Sequence, residues 1–410
     1  MRLMASVAVC ALFATAIAAA ETPVDCDAPA AMSDGWPVSP SAQQGLDPQL
    51  ICSTGLGLGK LTEADPHGVV VIRHGVLVYE QYFAGNDIRG WTPLGVVPHD
   101  ANTLHNIQSI TKSVVALLVG IAFDRGWLKD IDIPIFSFFP EYADLGTAEK
   151  DRITLRHLLS MTSGLEWPER AVSINNPANI VRQARIAADP YRAVLQRSVE
   201  AAPGTAWNYN GGGVWLLGLI LKKVARLPLD QFAKEALFEP PGIKDWAWER
   251  FSSGDPYASG GLQLRPRDLA KLGQLVLDDG VWQGRQIVSI GWIKEMTTRH
   301  NPDEMWFGFA RGYGYLWWLG RSSIDRRNID WVGSLGWGGQ RLYAVPEFSL
   351  VVAVTAGAYG SSQGGAPSAV EDVAGDTALN AFVLRGDCPL RGYRGTFSYR
   401  GSAQHLARSV

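Results

Sequence analysis

An unbroken apolar run, Val114-Val115-Ala116-Leu117-Leu118-Val119, directly follows the stretch Gln108-Ser109-Ile110-Thr111-Lys112-Ser113. A surface helix alternates polar residues onto its wet side, and this segment has no such side. The chain therefore has to build a body that encloses a helix completely. With 410 residues, 47% hydrophobic and 19% charged, it is long enough for one large core or two lobes. Lys112 stands at the mouth of that helix. It either escapes to solvent or is buried for a reason.

Formal net charge is −3 and no basic run occurs, which speaks against a nucleic-acid surface. The first twenty residues pair a basic start, Met1-Arg2, with an apolar core that ends in Ala18-Ala19-Ala20. That is the layout of a secretory signal peptide, with cleavage expected after Ala20 and an exported mature protein. No later stretch reaches the ~18 apolar residues of a membrane span. Export permits disulfides. Cys26, Cys52 and Cys388 then allow one bridge in three pairings, which stay open. Neither cysteines nor histidines show metal-ligand spacing, so no metal or other cofactor is expected.

Residues 21–59 read as an irregular lead-in. The segment 68–83 carries two β-rich runs around Arg73-His74-Gly75, a hairpin pattern. Helical patterns dominate from Ser109 to about Leu277, including 153–164, 212–225 and 265–280. Strand-like runs return at 313–320, 340–346 and 348–357, and a last helical run covers 366–386. The expected fold class is α+β: an antiparallel sheet assembled from both ends of the chain, flanked by helices, with an all-helical lobe inserted. Its boundaries fall at 60–125 and 283–390 for the discontinuous α/β lobe, 126–282 for the helical lobe and 391–410 for a tail.

Two motifs mislead. Residues 55–62 resemble a phosphate loop, but Thr54 replaces its first glycine and Leu61 stands where Ser or Thr is needed. Residues 360–364 fit G-x-S-x-G, with Asp372, Asp376 and His405 following in a triad order. A nucleophile elbow sits directly off its strand, whereas Gly357-Ala358-Tyr359-Gly360 intervenes here.

Ser109 and Lys112 are the stronger pair. Positions i and i+3 share a helix face, so Oγ and Nζ can meet. Serine needs a base beside it to act as a nucleophile. Burial and the positive helix end both disfavour an ammonium, so a lowered Lys112 pKa is expected. The Ser109 backbone N–H also faces any developing oxyanion. The bland reading is a helix cap with a snorkelling lysine.

Further stretches add to it. Tyr209 lies in the Pro/Gly loop of 203–218, before a second apolar helix, and Trp337-Gly338-Gly339-Gln340 opens a strand. With 158–167 and 258–277, these make residues 60 to 360 resemble the serine β-lactamase-like family. That family includes class C β-lactamases, D-alanyl-D-alanine peptidases, family VIII carboxylesterases and 6-aminohexanoate-dimer hydrolases.

The resemblance implies a β-lactamase/transpeptidase-like fold and an acyl-enzyme mechanism. Ser109 would be the nucleophile, Lys112 and Tyr209 its proton relay, and the backbone N–H groups of Ser109 and Gln340 the oxyanion hole. Trp337, Gly338, Gly339, Asn210 and Trp167 are the candidate substrate-binding residues. Gly211 replaces the last residue of the family's Y-x-N motif, and Trp337 stands where many members carry Lys or His. An indole cannot pair with a substrate carboxylate, which points away from β-lactams and peptide termini. The expected partner is a small ester, with small linear amides as the alternative. A silent acyl-ligand-binding module is the rival from another class.

Overall fold

The computed structural model describes residues 28–302, 310–324 and 327–360. The expected signal peptide, Cys26, Cys388, the residues 361–364 of the G-x-S-x-G decoy with Asp372, Asp376 and His405, and the last helical run lie outside them. After helix α1 (Pro48–Leu58) come β1 (Pro66–Arg73), β2 (Val76–Tyr82), β3 (Ala84–Arg89), β4 (Thr92–Pro98) and β5 (His105–Asn106). Helices α2 (Ile110–Asp124), α3 (Leu155–Leu159), α4 (Ile180–Arg185), α5 (Pro190–Leu195), α6 (Gly211–Ala225) and α7 (Leu229–Ala233) follow. Short strands β6 (Trp246–Trp248) and β7 (Leu262–Leu264) precede α8 (Pro266–Leu277). Strands β8 (Val281–Trp282) and β9 (Arg285–Gln286) lead to α9 (Ile290–Met296). The chain then returns to strand with β10 (Ala310–Tyr313), β11 (Trp318–Ile324), β12 (Arg327–Gly336), β13 (Gln340–Val345) and β14 (Leu350–Ala356).

The main sheet has the order β10-β11-β12-β13-β14-β1-β2, with antiparallel neighbours throughout. It is assembled from both ends of the chain, and the mixed α+β class is as expected. His74 (φ 51°) and Gly75 (φ 74°) form the two-residue turn between β1 and β2. Two left-handed residues twist the turn to match the strands it joins. Every residue of β1 and β14 is buried, and α8 (Pro266–Leu277) packs against both of these central strands.

Helix α8 packs on β1, β13 and β14, although it falls inside the stretch read as the helical lobe. Helix α2 is caught between α6, α9 and the strands β12 and β13. That environment explains its all-round apolar surface. Gly120 is needed at its middle: a Cβ there would lie 2.2 Å from the Trp292 ring, whose Nε1 donates to the Ala116 carbonyl at 3.0 Å.

Three features were not legible. The hairpin β3–β4 was not foreseen, since β4 is solvent-exposed along most of its length and carries no alternation. Strand β12 was missed because charged and glycine residues interrupt its apolar pattern. The single run expected at 313–320 is two strands, broken where Gly314 crosses the Met296 carbonyl and Leu316 turns left-handed at φ 59°.

The N-terminal segment is fastened to α8 by charge. Arg267, 1% exposed, donates from Nε to Glu80 at 2.7 Å, and its Nη1 and Nη2 reach Asp34 at 3.1 Å and the Ala30 carbonyl at 2.8 Å. Trp36 Nε1 in turn donates to the Arg267 carbonyl at 3.1 Å. Removing one partner of a buried pair strands the other charges without water. Arg267→Ala should therefore lose about 3–5 kcal/mol in urea unfolding, whereas a loss under about 1 kcal/mol would show the clamp to be dispensable.

Candidate functional site

Strand β5 pairs with β7, which carries the chain to the start of α2. Gln108 adopts a left-handed φ of 49°, a conformation costing a non-glycine residue about 1–3 kcal/mol. Asn106 holds it there: its Oδ1 accepts from the Gln108 N–H at 2.8 Å, and its Nδ2 donates to Glu249 at 3.1 Å. The kink delivers Ser109 to the rim of a cavity of about 150 Å³. Ser109 makes no side-chain capping bond, so its hydroxyl is not spent on the helix. Among the described residues, its backbone N–H donates to no backbone carbonyl.

Lys112, 3% exposed, does not escape to solvent. Its Nζ donates to Ser109 Oγ at 2.8 Å and to the Ser259 carbonyl at 2.9 Å. The Tyr209 ring centroid lies 4.8 Å from the same nitrogen. Ser259 is itself held by Trp215 Nε1 at 2.7 Å. The expected lowering of the Lys112 pKa is not found. Burial pulls it down, but Tyr209, Glu169 and Tyr257 together outweigh burial and raise it. Acceptors on several sides suit an ammonium better than a neutral amine.

The cavity is lined by Trp91, Lys112, Glu169, Arg170, Arg185, Tyr209, Glu249, Trp318, Trp337 and Arg341, among others. Trp337 sits 6.0 Å from Trp91 and 4.9 Å from Tyr359, centroid to centroid. Arg170 lies over the Tyr209 ring at 4.7 Å, and Arg185 pairs with Glu249 at 2.6 Å. The two arginines and Glu249 were not found from sequence. No local pattern marks them, since they come from loops and elements far apart in the chain.

Several expected binding residues face elsewhere. Asn210 caps α6, its Oδ1 accepting from the Gly213 N–H at 2.8 Å, and it does not line the cavity. Trp167 is core: it is 1% exposed, packs edge-on against Trp215, and donates to Glu169 at 2.8 Å. Gly338 (φ 81°) and Gly339 (φ 92°) form the turn from β12 to β13 instead of touching the cavity. A Cβ on Gly338 would lie 2.4 Å from the Tyr359 ring. The Gln340 side chain points inward, exchanging bonds with Ala356 at 2.6 and 3.1 Å.

A second group of polar side chains gathers behind this site. His67, Asp87, His99 and His105 bring one possible ligand atom each to within 4.8 Å of one another. No metal-ligand spacing marks them in the sequence, because strand pairing collects residues scattered between 67 and 105.

Comparison with known proteins agrees with this architecture. A family model described as beta-lactamase matches residues 60–374. The 6-aminohexanoate-dimer hydrolase of Paenarthrobacter ureafaciens is 24% identical over 311 residues, covering 72% of this chain and 73% of that one. Among solved structures, EstCE1, described as a hydrolase with promiscuous acyltransferase activity, superposes with a TM-score of 0.60 at 17% identity. That match covers 80% of this chain and 98% of EstCE1. A penicillin-binding protein homologue from Caulobacter crescentus gives a TM-score of 0.59 at 20% identity, covering 82% and 97%. With most of its length inside the family model and its fold shared with these structures, the chain belongs to the beta-lactamase family.

Proposed function

We propose that the protein is an exported serine hydrolase that cleaves small esters through an acyl-enzyme on Ser109. The observation that carries this reading is the 2.8 Å contact between Lys112 Nζ and Ser109 Oγ at the rim of the cavity, with Tyr209 against the same nitrogen. In the proposed reaction Ser109 Oγ attacks the acyl carbon. Its proton passes to the Lys112–Tyr209 pair and from there to the departing alkoxide. The backbone N–H groups of Ser109 and Gln340 receive the carbonyl oxygen as it becomes negative. Water then attacks the acyl-enzyme, and the acid leaves as Oγ regains a proton. Because Lys112 holds its proton at rest, it supplies the charge that steadies an anionic oxygen, and Tyr209 relays the proton.

Trp91, Trp318 and Trp337 give the cavity an apolar wall, which supports a neutral acyl group. A second reading, hydrolysis of small linear amides, is favoured by Arg170 and Arg341 in the same lining. They would meet the free carboxylate of such a substrate.

A fluorophosphonate probe should label Ser109 of the folded protein; intact protein that stays unlabelled there would sink the hydrolase reading. Lys112→Ala and Tyr209→Phe should each reduce p-nitrophenyl butyrate turnover by about 10²–10⁴-fold while the protein stays folded, and near-normal rates would refute their roles. The reactive form of the pair carries one proton fewer than the resting form. A raised Lys112 pKa therefore makes ester kcat/KM climb from neutral into alkaline pH, and a flat profile would contradict that assignment. Arg170→Ala should raise KM for a carboxylate-bearing amide and leave that for a neutral ester unchanged. Equal effects on both would remove the basis for the amide reading.

A further inference from the structure

We propose that His67, Asp87, His99 and His105 form a structural site for a zinc-like divalent ion, one that fastens the β3–β4 hairpin to the sheet behind the cavity. The four come from β1, β3, the residue after β4 and β5, so the site would tie the hairpin to β1 and β5. Their ligand atoms lie within 4.8 Å of one another, with His67, Asp87 and His105 buried and His99 half-buried. Drawing them onto a tetrahedral ion with bonds of ~2.0–2.1 Å requires the His67 and His99 rings, now stacked with centroids 4.1 Å apart, to turn toward a common centre.

Two further observations point to a ligand. His99 Nε2 is enclosed and makes no hydrogen bond, an unusual state for a buried ring nitrogen, while His67 Nε2 is enclosed with the Asp65 carboxylate 3.8 Å away. The bonds that do exist orient the rings. His105 Nδ1 donates to the Asn106 carbonyl at 3.1 Å, which fixes its tautomer and turns its Nε2 into an acceptor. His67 Nδ1 sits 2.8 Å from that Nε2. An imidazole held by a backbone carbonyl on its far side is the usual outer support of a metal-bound histidine. Asp87 accepts from the Ile88 N–H at 2.7 Å and from the Tyr359 hydroxyl at 3.4 Å, and no lysine or arginine of the described residues forms an ion pair with it.

The carboxylate is thus buried beside three imidazoles without a cation. The backbone is drawn in around them: a Cβ on Gly85 or on Gly357 would lie 2.5 Å from His67 Nε2. Three imidazoles and one carboxylate suit zinc and its transition-metal neighbours far better than magnesium or calcium. None of the four lines the cavity, so the ion would not touch substrate. Its reach is indirect: the hairpin carries Trp91 to the cavity wall, and His105 lies four residues before Ser109.

The test uses the full chain, stripped with a chelator and dialysed against zinc. Elemental analysis after gel filtration should find about one zinc per chain, and cobalt in its place should show the intense visible bands of a tetrahedral site. The melting temperature should rise with zinc and fall again with chelator. His99→Gln and Asp87→Asn, made separately, should each lose the bound zinc and the thermal shift while still unfolding cooperatively. Zinc at background level, a melting temperature indifferent to zinc, or wild-type zinc content in both variants would overturn the proposal. Fluorophosphonate labelling of Ser109 is read independently, so failure of the metal site is distinguishable from failure of the hydrolase reading.

Discussion

The buried contact of Lys112 with Ser109 Oγ and the Ser259 carbonyl is the constraint around which the molecule is organised. A cation with 3% exposure needs acceptors on several sides, and they are drawn from three regions of the chain. Ser109 comes from the kinked entry to α2, Ser259 from the loop before β7, and Tyr209 from the loop before α6. Each of these loops is in turn fixed from behind. Asn106 holds the kink, Trp215 holds Ser259, and Asn210 caps the helix that follows Tyr209. The rest of α2 is apolar all round because it supplies the dry floor on which this charge rests.

That arrangement inverts the simplest expectation about the lysine. A charge placed against an apolar helix ought to shed its proton. Yet the groups gathered around Nζ are all acceptors or potential anions, and together they outweigh burial. Lys112 thus stands 2.8 Å from Ser109 Oγ with its pKa raised, in a site of low polarisability where a charge counts for far more than in water. The cavity follows the same logic. Its wall is aromatic through Trp91, Trp318 and Trp337, while Arg170, Arg185 and Glu249 set charges at its edge.

The β3–β4 hairpin joins the two polar centres of the protein. One of its ends carries Trp91 to the cavity, and the other ends at His99 beside His67 and His105. Its strands are mostly exposed and offer little apolar surface to hold it down. A cross-link through polar ligands would supply what packing does not, in a part of the molecule that helps to shape the site.

Much of the fold and part of the site could be read from residues in order. The enclosed helix, the His74-Gly75 hairpin and the shared face of Ser109 and Lys112 all depend on near neighbours in the chain. Local sterics and helical spacing determine such features, and they survive in any environment. The tertiary structure alone decided the rest. Trp167 and Asn210 were equally good candidates for the cavity until packing assigned one to the core and the other to a helix cap. Arg170 and Glu249 entered the cavity, and His67, Asp87, His99 and His105 met, only through strand and loop placement. The charge state of Lys112 belongs to the same class. Electrostatic interactions fall off with distance in space and take no account of distance along the chain, so Tyr209, Glu169 and Tyr257 could act on it only after folding brought them there.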